Sequence, residues 1–204
     1  MSATLTPAEA WRTLREGNQR FVDGTSVHPN QDSFRRNELV GAQNPFCVIF
    51  GCSDSRLAAE IIFDLGLGDA FVVRSAGQVI DAAVLGSLEY AIEPLGVPLI
   101  VILGHDNCGA VTATVNAYST GAMPEGFVRD LVERIMPSVL TAQRNGVTEV
   151  NDTVVEHVKQ TGKRLVETSQ IIAKAVEEGR TAVLGVCYRL GEGRAELVSG
   201  LGNV

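Results

Sequence analysis

The sequence has 204 residues, 45% hydrophobic and 20% charged, which is enough for one core and a single domain over residues 1–204. Its 17 basic and 24 acidic residues give a formal charge of −7, so there is no net basic field to attract phosphate and a nucleic-acid partner is excluded. No apolar run is long enough to span a bilayer, and the N-terminus lacks a basic stretch followed by an apolar one; the expectation is a cytoplasmic protein with no membrane partner. In that compartment thiols stay reduced, so Cys47, Cys52, Cys108 and Cys187 are not expected to form disulfides.

Thr6, Pro7 and Glu9 predict a capped helix start: Thr6 is the N-cap, Pro7 suits the first helical position and Glu9 completes a capping box. Trp11, Leu14 and Phe21 are the apolar positions of this helix and Gly24 ends it. Residues 25–45, with Pro29, Gly41 and Pro45, read as an irregular connection containing a short helix near 32–42.

Four continuous apolar runs follow, "FCVIFG", "AFVVRSA" (70–76), "PLIVILG" (98–104) and "TAVLGVCYRL" (181–190), with "AELVSG" (195–200) as a closing edge strand. Unbroken apolarity predicts strands covered on both faces, as in a parallel sheet. Helical patterns lie between them at about 81–93, 108–120, 126–144 and 151–178, with Pro137 expected to kink or split the third. The reading is an α/β fold: a mostly parallel four-stranded sheet with an additional edge strand, flanked by helices.

Two of these strands end in chemistry. "GCSDSR" (51–56) and "GHDNCG" (104–109) both follow apolar runs. Ligands in open α/β sheets bind beyond the carboxyl ends of strands, so Cys52 and His105 converge if their strands are neighbours. Cys108, three residues after His105, reaches the same point from a helix start, where its thiol pKa is expected to be lowered. Two thiolates and an imidazole favour zinc over magnesium or calcium. Water and Asp54 are the candidates for the fourth position, and Arg56 can hold Asp54 off the metal by a bidentate pair. Cys47 and Cys187, inside apolar runs, read as inert buried thiols, and His28 and His157 as surface residues.

The pair "CSDSR" and "GHDNCG", with "LREGNQRFV", "GLGDAFVVRSAG", "GSLEYA" and "VPLIVILGH", resembles the signature of the beta-class carbonic anhydrases, closely that of actinobacterial members, over most of the chain. The resemblance implies a carbonate dehydratase, a lyase with one Zn²⁺ per chain that reversibly hydrates carbon dioxide to bicarbonate and a proton by zinc-bound hydroxide. By it, Cys52, His105 and Cys108 match the zinc ligands, and Asp54 joins them in the closed form only. Asp54, Arg56 and Gln31 match catalytic positions, with Gln31 acting across a dimer interface. Phe71, Ala76, Tyr90 and Gly109 match the substrate pocket. Arg74 and Tyr188 resemble parts of a regulatory bicarbonate site, but Ile49 stands where regulated members have tryptophan. The resemblance further implies a homodimer or homotetramer, with an N-terminal helical arm, about residues 1–24, packing on a partner. Two rival readings use the same residues: a carbon disulfide or carbonyl sulfide hydrolase of the same fold, and a non-catalytic zinc or thiol sensor module.

Overall fold

The computed structural model describes residues 5–204; the first four residues of the predicted arm lie outside them. Helix α1 (Pro7–Val22) begins with the expected capping box, the Glu9 amide donating to Thr6 Oγ1 at 3.2 Å and the Thr6 amide donating to Glu9 Oε2 at 2.8 Å. Its inner face, with Ala10, Trp11 and Leu14, is buried against its own chain. Asn18 on that face donates to the carbonyls of Ile62 and Gly193 and accepts from the Ala195 amide. The apolar stripe of α1 thus packs within the subunit.

The next elements are α2 (Ser33–Glu38), β1 (Cys47–Cys52), α3 (Ala59–Ile62) and β2 (Ala70–Ser75). Helix α4 (Ala82–Ile92), β3 (Leu99–His105), α5 (Gly109–Thr120), α6 (Val128–Arg144), α7 (Val150–Thr168), α8 (Gln170–Glu177), β4 (Ala182–Arg189) and β5 (Arg194–Leu201) follow. The five-stranded sheet has the order β2-β1-β3-β4-β5, parallel except for β5, which runs antiparallel to β4. Every residue of β1 and β3 is buried, as continuous apolar runs require of central parallel strands. By contrast β2, an edge strand, is only half-buried, so its apolar run did not signal two covered faces in this chain.

Two helix expectations change. Pro137 lies inside an unbroken α6, whose buried stripe of Val132, Ile135, Ser138, Val139 and Ala142 carries the helix past the missing N–H. The break falls instead at Ser169, between α7 and α8. Ser169 is extended (φ −98, ψ 110), its Oγ accepts the Ile172 amide at 3.2 Å, and it donates to Glu89 at 2.6 Å. An N-cap in mid-pattern ends a helix as effectively as a proline. No helix among the described residues is long and apolar enough to cross a membrane.

Candidate metal centre

Strands β1 and β3 are hydrogen-bonded neighbours whose connections leave to opposite sides of the sheet, one to β2 and the other toward β4. That reversal of strand order opens a crevice at their carboxyl ends. Cys52 is the last residue of β1, His105 the last of β3, and Cys108 the N-cap of α5. One ligand atom from each lies within 4.8 Å of the others, and all three residues are buried.

The orientation of His105 follows from its hydrogen bonds. Nδ1 is 2.9 Å from the Asp106 carbonyl, which only accepts, so Nδ1 carries the hydrogen and Nε2 presents a lone pair. Nε2 is buried and has no hydrogen-bond partner. An orphaned imidazole nitrogen facing two thiols is a donor set without its cation, and two sulfurs with one nitrogen fit zinc. A second tie holds this strand end, since Arg189 Nη1 donates to Asp106 Oδ1 at 2.8 Å and the Asp106 amide donates to the Tyr188 carbonyl at 3.1 Å.

The pKa values of the two thiols move in opposite directions. The Cys52 pKa is lowered, first by the Cys108 thiol beside it and then by the amides of Gly77 and Asp54, which favour its thiolate; burial opposes them. Cys108 moves the other way. The amides of Val111 and Ala110 at the start of α5 do pull its pKa down, as the helix position predicts, but the neighbouring Cys52 thiolate and burial outweigh them. The net upward direction corrects the expected lowering.

Asp54 stands next to the ligands without joining them. Its Oδ2 is 3.9 Å from His105 Nε2. Arg56 holds it at two points, Nε to Oδ1 at 2.9 Å and Nη2 to Oδ2 at 2.8 Å, and the Arg56 amide adds a third bond at 2.9 Å. These bonds keep the Asp54 carboxyl well below the usual carboxylate range. Arg74 fixes the same loop by donating to the carbonyls of Cys52 at 3.0 Å and Asp54 at 2.6 Å. The guanidinium that resembles part of a bicarbonate site is thus engaged with backbone, and Ile49 is fully buried in β1.

The other predicted residues divide. Ala76 begins the 3-10 turn after β2, and Gly109 is the first residue of α5, beside Cys108. Phe71 instead pairs with Val48, four residues before Cys52, which is about 13 Å along the strand. Its ring meets Tyr90 of α4 with centroids 6.3 Å apart. Gln31 shares an open groove with Glu60, Leu65, Gly66 and Ala70, at the end of β2 opposite Ser75. Within one chain, then, Gln31, Phe71 and Tyr90 are not brought to the metal centre. The segment leading to Gln31 is held in place: Asp64 accepts the amides of Val27 and His28, and the Leu67 amide donates to the Asn30 carbonyl. A Cβ on Gly66 would collide with the carbonyl oxygen of Pro29, so only glycine lets this segment lie so close.

Cys47 and Cys187 are buried with pKa values raised chiefly by that burial, as expected of inert thiols. His28 is exposed, but His157 is 3% exposed, which corrects its reading as a surface residue. His157 Nε2 lies 2.8 Å from the Gly77 carbonyl, and the Gly77 amide donates to Cys52 Sγ at 3.2 Å. Gly77 was not singled out from the sequence, and His157 was named there only as a surface residue. The available signal was the helical face Val154, His157, Val158, Thr161 and Leu165, which puts the histidine among core positions.

Fold and site together define a class: an α/β metalloprotein with a Cys₂His centre at the switch point of its sheet and an Asp–Arg pair beside it. The comparisons with known proteins agree. A family profile described as carbonic anhydrase matches residues 47–195. The carbonic anhydrase of Mycolicibacterium smegmatis is 52% identical over 198 residues, covering 97% of this chain and 96% of that protein. Carbonic anhydrase 2 of Mycobacterium tuberculosis is similar to the same extent. Among solved structures, the Coccomyxa beta-carbonic anhydrase in complex with acetazolamide is similar with a TM-score of 0.73 at 23% identity, covering 92% of this chain and 86% of that one. A tetrameric beta-carbonic anhydrase from Sordaria macrospora has a TM-score of 0.73 at 24% identity, covering 95% of this chain and 100% of that one. The chain belongs to the carbonic anhydrase family, and its fold is that of the beta class.

Proposed function

We propose that the protein is a zinc-dependent carbonic anhydrase that interconverts carbon dioxide and bicarbonate, with Cys52, His105 and Cys108 as zinc ligands. The observation that carries this reading is the buried, unpartnered Nε2 of His105, a residue with a ligand atom within 4.8 Å of two cysteine sulfurs, beside the Asp54–Arg56 pair. Zinc, when bound, supplies a Lewis acid that makes water nucleophilic near neutral pH. The chain supplies the rest. Asp54, ionised because Arg56 holds it, is the hydrogen-bond acceptor that orients the attacking oxygen. Arg56 keeps that carboxylate off the metal, and a closed form with Asp54 as a ligand requires their separation. Ala76 and the Gly109 backbone border the space where the substrate sits.

Gln31, Phe71 and Tyr90 act, in this reading, from one subunit on the site of its partner. The reading is supported by their distance from their own chain's metal centre, and by the exposed Val27, Phe34, Val40, Ile61 and Leu67 around the Gln31 segment. The protein is a cytoplasmic homodimer or a homotetramer built from such dimers.

Zinc analysis and stopped-flow carbon dioxide hydration test the assignment. The native protein is expected to carry one zinc per chain and to turn over, and Cys108→Ala to lose both. A zinc-free, active native protein, or a Cys108→Ala variant with normal zinc, would overturn it. Light scattering with Gln31→Ala tests the assembly: the variant should remain oligomeric with lowered activity, and a fully active monomer would remove the role across subunits.

A further inference from the structure

The imidazole of His157 is buried where α7 packs on α6, and both its nitrogens are used. A leucine would fill this space without the cost of burying a polar ring. Nε2 faces the Gly77 carbonyl at 2.8 Å, and because a carbonyl cannot donate, Nε2 carries the hydrogen. Nδ1 is then the acceptor for the hydroxyl of Ser138, fully buried on α6, whose Oγ lies 2.9 Å from it and 3.2 Å from Gln160 Oε1, the second acceptor in reach of the same proton. The hydrogen bonds fix one neutral tautomer and one ring orientation.

Gly77 passes this constraint on. Its carbonyl is held by His157 while its amide donates to Cys52 Sγ at 3.2 Å. Its backbone is left-handed (φ 65), and a Cβ there would lie 2.8 Å from Ala110 Cβ and from Ile135 Cδ1. The residue is thus clamped between α5, α6 and the histidine, with its N–H aimed at the sulfur. An N–H bond to a thiolate withdraws charge from it and fixes its direction, and groups that hold metal ligands in this way commonly change metal affinity 10- to 100-fold.

We propose that His157, backed by Ser138, is a positioning residue that holds the Gly77 amide on the Cys52 sulfur and so sets how much charge that thiolate gives the metal. The proposal rests on Cys52 being a metal ligand. It assigns a role to a residue that touches neither metal nor substrate and has two helices, α5 and α6, between it and the nearer ligand motif.

The test is cobalt substitution. Co²⁺ loaded into the metal-free protein gives a sulfur-to-cobalt charge-transfer band whose energy reports thiolate charge, and its release to a chelator reports how firmly the ligands are held. His157→Leu removes the donor. Its band should move to longer wavelength and its cobalt should leave about tenfold faster. His157→Gln places an amide N–H near the Nε2 position and should restore both readings toward native. Ser138→Ala frees the ring to turn and should shift the band in the same direction as His157→Leu, by less; it serves as the deciding variant if His157→Leu does not fold. A band and release rate unchanged in the folded variants would overturn the proposal, as would leucine and glutamine variants displaced equally. A native cobalt protein with no sulfur charge-transfer band would instead overturn the metal-centre reading itself.

Discussion

Arg56 grips Asp54 through both carboxylate oxygens, at 2.9 and 2.8 Å, while the same carboxylate lies only 3.9 Å from the free Nε2 of His105. The aspartate is therefore close enough to reach the metal and is kept from it by one side chain. Arg56→Ala should release it and lower carbon dioxide hydration by about 10²-fold, as displacement of a positioned group does. Arg56→Lys should not restore the rate, because an ammonium cannot reproduce the two-point grip. Zinc content should stay at one per chain in both variants. Native turnover in Arg56→Ala would show that the pair has no catalytic part.

Asp54→Asn keeps the shape but loses the charge and one acceptor. Its expected effect is a fall in kcat of about 10²-fold or more with zinc retained. Steady-state kinetics beside metal analysis checks this, and a variant that loses zinc would instead make Asp54 a resident ligand.

His157 should make the fold acid-sensitive. Burial, above all, pushes its pKa down to about 4; Arg164 pushes in the same direction, while the Gly77 carbonyl and the Cys52 charge pull it up. The unfolded chain takes up that proton near pH 6.5 and the folded chain only near 4, so between these values the unfolded state binds more protons. This contribution is fully present above about pH 6.5 and is lost as the pH falls toward 4, at about 1.4 kcal/mol per unit and about 3 kcal/mol in total. Urea unfolding from pH 7 to 4 measures it. His157→Gln should flatten the slope in that window, and an equal slope in both proteins would place the sensitivity elsewhere.

Asp64 holds the Gln31 segment to the body of the subunit. Its side chain is fully buried, accepts Arg20 Nε at 2.6 Å, and takes the amides of Val27 and His28 at 3.0 and 2.9 Å. Burial works against its charge, but these three bonds outweigh it and the pKa is lowered. Asp64→Ala should cost about 2 kcal/mol, below the usual figure for a broken buried pair because Arg20 is one-third exposed. Limited proteolysis should then cut within residues 25–31. A variant that stays protease-resistant and oligomeric would mean that the segment is held by other contacts.

The sheet and the ligand set were legible because each is written locally. Strands β1, β3 and β4 are unbroken apolar runs; Cys52 and His105 end two of them, and Cys108 comes three residues after His105. What was not legible depends on contacts distant in sequence. The break at Ser169 has no glycine or proline to mark it and takes its partner Glu89 from 80 residues away. His157 reads as one more polar helix residue until Gly77, also 80 residues away, meets its ring. The position of Phe71 follows from strand register, which an apolar run does not encode beyond its own length. Gln31 lies on a loop whose course is set by Asp64 and Gly66, again far along the chain.

The central claim is that two sulfurs and one imidazole of this chain hold one catalytic zinc. X-ray absorption at the zinc edge of the purified native protein tests it most directly. The expected result is one zinc per chain with two sulfur neighbours near 2.3 Å and nitrogen or oxygen neighbours near 2.0 Å. Zinc with four sulfurs, zinc with no sulfur shell, or a protein purified without zinc would contradict it.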